Sequence, residues 1–140
     1  MESLYRFSHD IRVRYAEIDG QKIVFNAHYF TYLDVAFTEY MRELVGSIWV
    51  KDPHSLHFDP VLVKSKVQYR KPAVLDDLIR VFVRVKRLGT SSLTVECLIK
   101  RENDILIEAE LVHVNYDLEL KQSVPLPTEI KAKIREFECI

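Results

Sequence analysis

At 140 residues the chain has the size of one domain, and with 48% of its residues hydrophobic it can bury a substantial core. Its 20 lysines and arginines stand against 21 aspartates and glutamates, mixed along the chain, and a net charge of −1 excludes the basic face of a nucleic-acid binder. No apolar run approaches the ~20 residues of a membrane span, and MESLYRFSHD carries no apolar signal segment, so a cytoplasmic location is the default expectation.

Period-two alternation predicts a first strand from about Leu4 to Ile18, with Ile11, Val13 and Tyr15 alternating against Asp10, Arg12 and Arg14. If regular, it puts Tyr15, Glu17 and Asp19 on one side. A long helix follows from Ala27 to Val45, about 28 Å at 1.5 Å per residue. Phe30, Leu33, Phe37, Tyr40, Met41 and Leu44 share one of its faces. Tyr29, Tyr32, Val35, Ala36 and Val45 make the remainder apolar as well, so most sides should be buried. Asn26 is a suitable N-cap, and Gly46 stands where a left-handed residue ends a helix. Ser47 to Leu56 reads as a loop, with a turn at Asp52-Pro53-His54-Ser55.

Four alternating runs come next. Val61, Val63, Ser65, Val67 and Tyr69 share one side of the first, which ends at Lys71-Pro72. Ile79, Val81, Val83 and Val85 mark the second, and Gly89-Thr90 is a hairpin turn leading to Leu93–Lys100. A turn at Glu102-Asn103-Asp104 precedes the last strand, from Ile105 to about Tyr116. Ile130, Ile134 and Phe137 predict a short amphipathic helix near 127–138. Cys97 lies in an alternating apolar run and reads as a small buried hydrophobe; with Cys139 it lacks the spacing of a zinc site, and no metal is expected. Three glycines leave no GxGxxG or Walker phosphate loop. Strand, long helix, then strands joined by hairpin-length links make an α+β domain built on an antiparallel sheet. One sheet cannot hide all the aromatic surface of the helix, so self-association is expected.

The run RVRYAEIDGQKIVFNAHYFTYLDVAFTEYM, with YRKPAVLDDLIRV further on, resembles the hotdog-fold acyl-CoA thioesterases. The nearest group is the 4-hydroxybenzoyl-CoA thioesterase family, including the Tol-Pal-associated acyl-CoA thioesterases. The resemblance spans most of the chain and implies a curved five-stranded antiparallel sheet wrapped around a long central helix. It implies hydrolysis of an acyl-CoA to the free acid and coenzyme A, with coenzyme A as part of the substrate and no separate cofactor. Asp19 aligns with the family's catalytic carboxylate, and Tyr15 with a relative's active-site tyrosine. Asn26 occupies the position whose backbone N–H polarises the thioester carbonyl, where many relatives carry histidine. Tyr29 and Asp34 match a tyrosine and an acid of the family's helix. Lys22 stands where the family usually has glycine. Lys86 and Arg87, just before the Gly89 turn, lie near the position of a basic cluster that holds coenzyme A phosphates in aromatic-specific relatives. The family pairs two domains edge to edge, commonly as dimers within a tetramer, with active sites between subunits.

The chemistry fits the residue types. Attack on a thioester builds negative charge on its oxygen, which free N–H groups at a helix N-terminus can stabilise. A neighbouring carboxylate can attack the carbonyl or activate water. Asp19 and Asn26 are joined by one short loop. Tyr15 could orient Asp19 or the substrate, and His28, in the first helical turn, could touch substrate. Against this stand plainer roles: Asp19 as a turn opener beside Gly20, Tyr15 as a packed tyrosine, Asp34, Lys86 and Arg87 as solvated charges. Two other functions share the fold. One is acyl-CoA or partner binding without hydrolysis, suggested by Lys22 and Asn26. The other is dehydration of acyl thioesters, whose histidine-plus-acid signature is not visible around this helix.

Overall fold

The computed structural model describes residues 2–140. Strand β1 (Phe7–Arg12) turns Phe7, His9 and Ile11 inward and pairs antiparallel with β3 (Leu78–Leu88). It stops at Arg12, well short of the predicted Ile18. The cause is local: the Glu17 carboxylate accepts the Arg14 N–H at 2.9 Å, and residues Tyr15–Glu17 coil into a 3-10 turn. A side chain that offers the backbone a nearby partner competes with the sheet. Tyr15, Glu17 and Asp19 therefore do not share a side. Tyr15 is 82% exposed, whereas Glu17 is only 4% exposed.

Helix α1 (His28–Val45) buries Tyr29, Tyr32, Leu33, Ala36, Phe37, Tyr40 and Met41 against the sheet. Phe30 and Leu44, predicted for the buried face, are half-exposed; the helix is rotated toward Tyr29, Tyr32 and Ala36. Its open side carries Thr31, Asp34 and Val35. Asn26 is not the cap. Ala27 holds that position with near-helical φ −69, no side chain caps the end, and the His28 N–H closes onto the Phe25 carbonyl at 2.9 Å. Gly46 does end the helix, at φ +94, with its N–H on the Arg42 carbonyl. The expected loop after it is instead a short helix α2 (Ser47–Lys51) and a 3-10 turn (Pro53–Leu56). Trp49 drives this: it is buried, and its indole N–H donates to the Phe58 carbonyl at 2.8 Å.

Strands β4 (Ser92–Arg101) and β5 (Asp104–Asp117) follow β3 through the two predicted hairpin turns. Strand β2 (Pro60–Tyr69) does not pair with β3, its successor in sequence. It pairs antiparallel with β5, and the order is β1-β3-β4-β5-β2, with a short β6 (Gln122–Ser123) added to β5. Both edges of β3 are taken by β1 and β4, so the connection from Arg70 to Asp77 must cross to bring the chain back. Helix α3 (Thr128–Glu138) forms where predicted and buries Ile130 and Ile134. The result is the hotdog arrangement, an antiparallel sheet around α1, with Cys97 among the core side chains. Among the described residues, no helix is long and apolar enough to cross a membrane.

Candidate active site

The segment from Glu17 to Phe25 is a small hairpin. Ile18 and Val24 form a bridge, the Asp19 N–H donates to the Ile23 carbonyl at 2.9 Å, and the Phe25 N–H donates to the Glu17 carbonyl at 2.9 Å. Its tip is closed by the Lys22 N–H on the Asp19 carbonyl, while the Asp19 side chain accepts the Gln21 N–H at 2.7 Å. Lys22 has φ +65. This is the left-handed region that glycine enters without strain and that a lysine enters only at a cost. The hairpin is anchored to the β2–β3 connection by the Val24 N–H on the Ala73 carbonyl.

Asp19 at the tip and Asn26 at the base line one cleft of about 570 Å³, together with Tyr29, Ile23, Tyr69 and Arg70. The Asn26 and Ala27 N–H groups, which open α1, meet no protein acceptor among the described residues. Of the two, Asn26 lines the cleft, so the positive end of the helix dipole stands beside the same space as a carboxylate, and Ala27 lies just outside its lining. Tyr29 is buried, its hydroxyl accepts the Ala73 N–H at 2.9 Å, and burial pushes its pKa up. It therefore shapes the wall as a neutral ring.

Of the residues singled out from the sequence, the fold brings together Asp19, Asn26 and Tyr29. Tyr15 points to solvent outside the cleft. His28 is half-buried and packs edge-on against Phe25 at 6.0 Å, also outside it. Asp34 is exposed on the open side of α1, about 12 Å along the axis from Asn26 at 1.5 Å per residue. Lys86 faces the outer side of the sheet, where its ammonium lies 3.2 Å from Glu110 and 3.4 Å from Glu96. It lines a separate depression there, beside Tyr5 and Leu98. Arg87 reaches toward Thr94. Within one chain neither of these basic residues meets Asp19. Among the described residues, no group of three His, Cys, Asp or Glu side chains converges as a metal site would require.

The sequence reading missed Tyr69 and Glu17. Tyr69 stands edge-on to Tyr29 at 5.6 Å, and its hydroxyl reaches the Asn26 carbonyl at 3.4 Å. Its signal was its parity with Val67, the half-buried side chain of β2 that packs on the core. The signal for Glu17 was an arginine three residues before it.

Residues 21–108 match the thioesterase superfamily. The chain belongs to that family. The matched span begins just past Asp19 and takes in the N-terminus of α1 and strands β2, β3 and β4. The acyl-CoA thioester hydrolase YbgC of Escherichia coli O6:H1 is 29% identical over 131 residues, 93% of this chain and 96% of that protein. The long-chain acyl-CoA thioesterase FadM of Escherichia coli K12 is 27% identical over 129 residues, 91% of this chain and 96% of FadM. A thioesterase of Thermus thermophilus, solved with coenzyme A and zinc, superposes with a TM-score of 0.84 at 26% identity, covering 97% of this chain and 96% of its own.

Proposed function

We propose that this thioesterase-superfamily chain hydrolyses acyl-CoA thioesters to the free acid and coenzyme A. The observation that carries the reading is the shared cleft of Asp19 and the uncapped start of α1. The thioester carbonyl oxygen sits at the free N–H of Asn26, at the positive end of α1, which stabilises it as negative charge builds. Asp19 takes a proton from water as that water attacks the carbonyl carbon. Collapse of the tetrahedral intermediate breaks the carbon–sulfur bond, and the proton returns to the leaving thiolate. Direct attack by Asp19, through an anhydride that water then opens, uses the same geometry.

The cleft is open beside β2, and a second copy completes it in this proposal. Strand β2 ends the sheet, and Val61, Leu62, Val63 and Tyr69 along it are 40%, 44%, 59% and 50% exposed. Pairing two β2 edges would satisfy the unpaired strand and cover that apolar surface. Asp34 and His28 would then approach the site from the open side of α1, and Lys86 and Arg87 would reach the nucleotide end of the ligand only from the partner. A tetramer of such dimers, a cytoplasmic location and membership of the 4-hydroxybenzoyl-CoA subgroup complete the proposal.

Thiol release from a panel of short, long and aromatic acyl-CoAs tests it. Asp19→Asn should lower kcat by about 100-fold or more with little change in KM. Undiminished turnover in that variant would refute the role of the carboxylate. Non-hydrolytic binding loses one of its motives, because Lys22 holds the left-handed conformation. Tight coenzyme A binding with no thiol release across the panel would establish it instead.

A further inference from the structure

Glu17, 4% exposed, is the one buried carboxylate among the described residues. Burying a carboxylate is costly unless it is fully paired. Here Oε1 accepts the Arg14 N–H at 2.9 Å and the Tyr32 hydroxyl at 2.7 Å, and Oε2 accepts the Arg14 Nε–H at 2.6 Å. Burial alone pushes the carboxyl pKa up, but these donors outweigh it and hold the group below the ordinary glutamate value. Burial and the Glu17 charge together push the Tyr32 hydroxyl up, so it remains a protonated donor.

The bonds come from separate parts of the fold. Arg14 belongs to the turn that ends β1, and Tyr32, only 1% exposed, lies one turn into α1. The backbone carbonyl of Glu17 meanwhile accepts the Phe25 N–H, one residue before Asn26. Glu17 thus joins the hairpin that carries Asp19 to the helix whose start carries the free N–H groups. Neither Glu17, Arg14 nor Tyr32 lines the cleft. Apolar side chains of similar volume would pack this point without any buried charge. What a paired carboxylate adds is direction.

We infer that Glu17 is a positioning residue that, through Tyr32 and Arg14, sets the Asp19 carboxylate against the N-terminus of α1. The inference rests on the hydrolytic reading above. Misplacing a reacting group by about 1 Å can lower a rate by 10²-fold while leaving ligand affinity intact.

The test uses the full chain and thiol release from the best acyl-CoA of the panel. Tyr32→Phe deletes one hydroxyl and keeps the ring. It should lower kcat about 10-fold with KM within about twofold, and Glu17→Gln should lower kcat further. If Glu17 acts through Asp19, Tyr32→Phe should have almost no further effect in an Asp19→Asn background. Unchanged kcat in Tyr32→Phe, or an equal fold-loss in both backgrounds, overturns the inference. If Glu17→Gln fails to fold, Tyr32→Phe alone decides. If the wild-type chain releases no thiol from any acyl-CoA, the hydrolytic reading fails separately. A crystal structure of Tyr32→Phe then decides: a displaced Asp19 hairpin supports positioning by Glu17, and an unmoved hairpin overturns it.

Discussion

The imidazole of His113 lies flat on Phe37, with ring centroids 4.7 Å apart, and its Nδ1 is buried without a hydrogen-bond partner. Burial pushes its pKa down from 6.5 to about 4. The folded chain therefore keeps it neutral while the unfolded chain takes up a proton. Stability is fully present above pH 6.5 and is lost as the pH falls from there toward 4. At pH 5 the loss is about 2 kcal/mol by linkage. In His113→Leu that loss should vanish, so urea unfolding at pH 7 and pH 5 should show the wild type alone weakening by this amount. An equal weakening in both proteins would contradict the assignment. Glu17 acts in a lower window: its folded pKa is depressed, so its contribution is present above the unfolded value near 4.5 and fades as pH falls through the folded one. Lys22 gives a test of opposite sign. At φ +65 it carries strain that glycine lacks, and Lys22→Gly should stabilise the chain by up to about 1 kcal/mol after the added unfolded-state entropy is offset. A lower urea midpoint in this variant would show that the lysine side chain supplies contacts worth more than the strain.

Helix α3 is held by more than its apolar stripe. Glu138 near its end accepts the Tyr40 hydroxyl at 2.6 Å and the Val85 N–H at 2.9 Å. Strand β3 shifts register between Val85 and Arg87, and Glu138 serves as the side-chain acceptor for Val85 at that irregularity. Tyr40 is fully buried, and burial followed by the Glu138 charge pushes its hydroxyl far above the ordinary tyrosine value. Glu138→Ala would leave two donors without partners and should cost about 2–4 kcal/mol. Tyr40→Phe leaves Glu138 still bonded to Val85 and should cost about 1–2 kcal/mol. Chemical denaturation of the two variants checks the ranking; equal losses would mean that the bulge N–H is satisfied another way. The spacing of Ile130, Ile134 and Phe137 was enough to place this helix. Its polar anchor joins residues far apart in the chain and left no local trace.

At the scale of the whole molecule, the exposed run Val61, Leu62, Val63 on a terminal strand is the feature the single chain leaves unexplained. Under the proposed edge pairing, two aspartates at Val61 and Val63 would place like charges across the seam. The Val61→Asp, Val63→Asp variant should sediment as a monomer at micromolar concentration and lose acyl-CoA hydrolysis, while the wild type shows no folded monomer. A wild-type monomer that is stable and active would sink both the pairing and the shared cleft.

Periodicity and turn residues by themselves determined α1, the hairpins through β3, β4 and β5, the stop at Gly46, and α3, because each depends on neighbours only a few residues away. Spacing alone left Asp19 as readily a turn opener as a catalytic group; the resemblance of the run from Arg12 to Met41 to the thioesterases is what made it a candidate. Tertiary structure alone decided the rest. Alternation says which side chains share a face but not which strand lies alongside, so the pairing of β2 with β5 rather than β3 was not legible. The early end of β1 followed from a carboxylate capturing a backbone N–H, and that carboxylate is held in turn by Tyr32, fifteen residues on. Tyr69 entered the Asp19 cleft, and Lys86 was carried to the opposite face, because the path of the sheet around α1 sets distances that spacing along the chain does not encode.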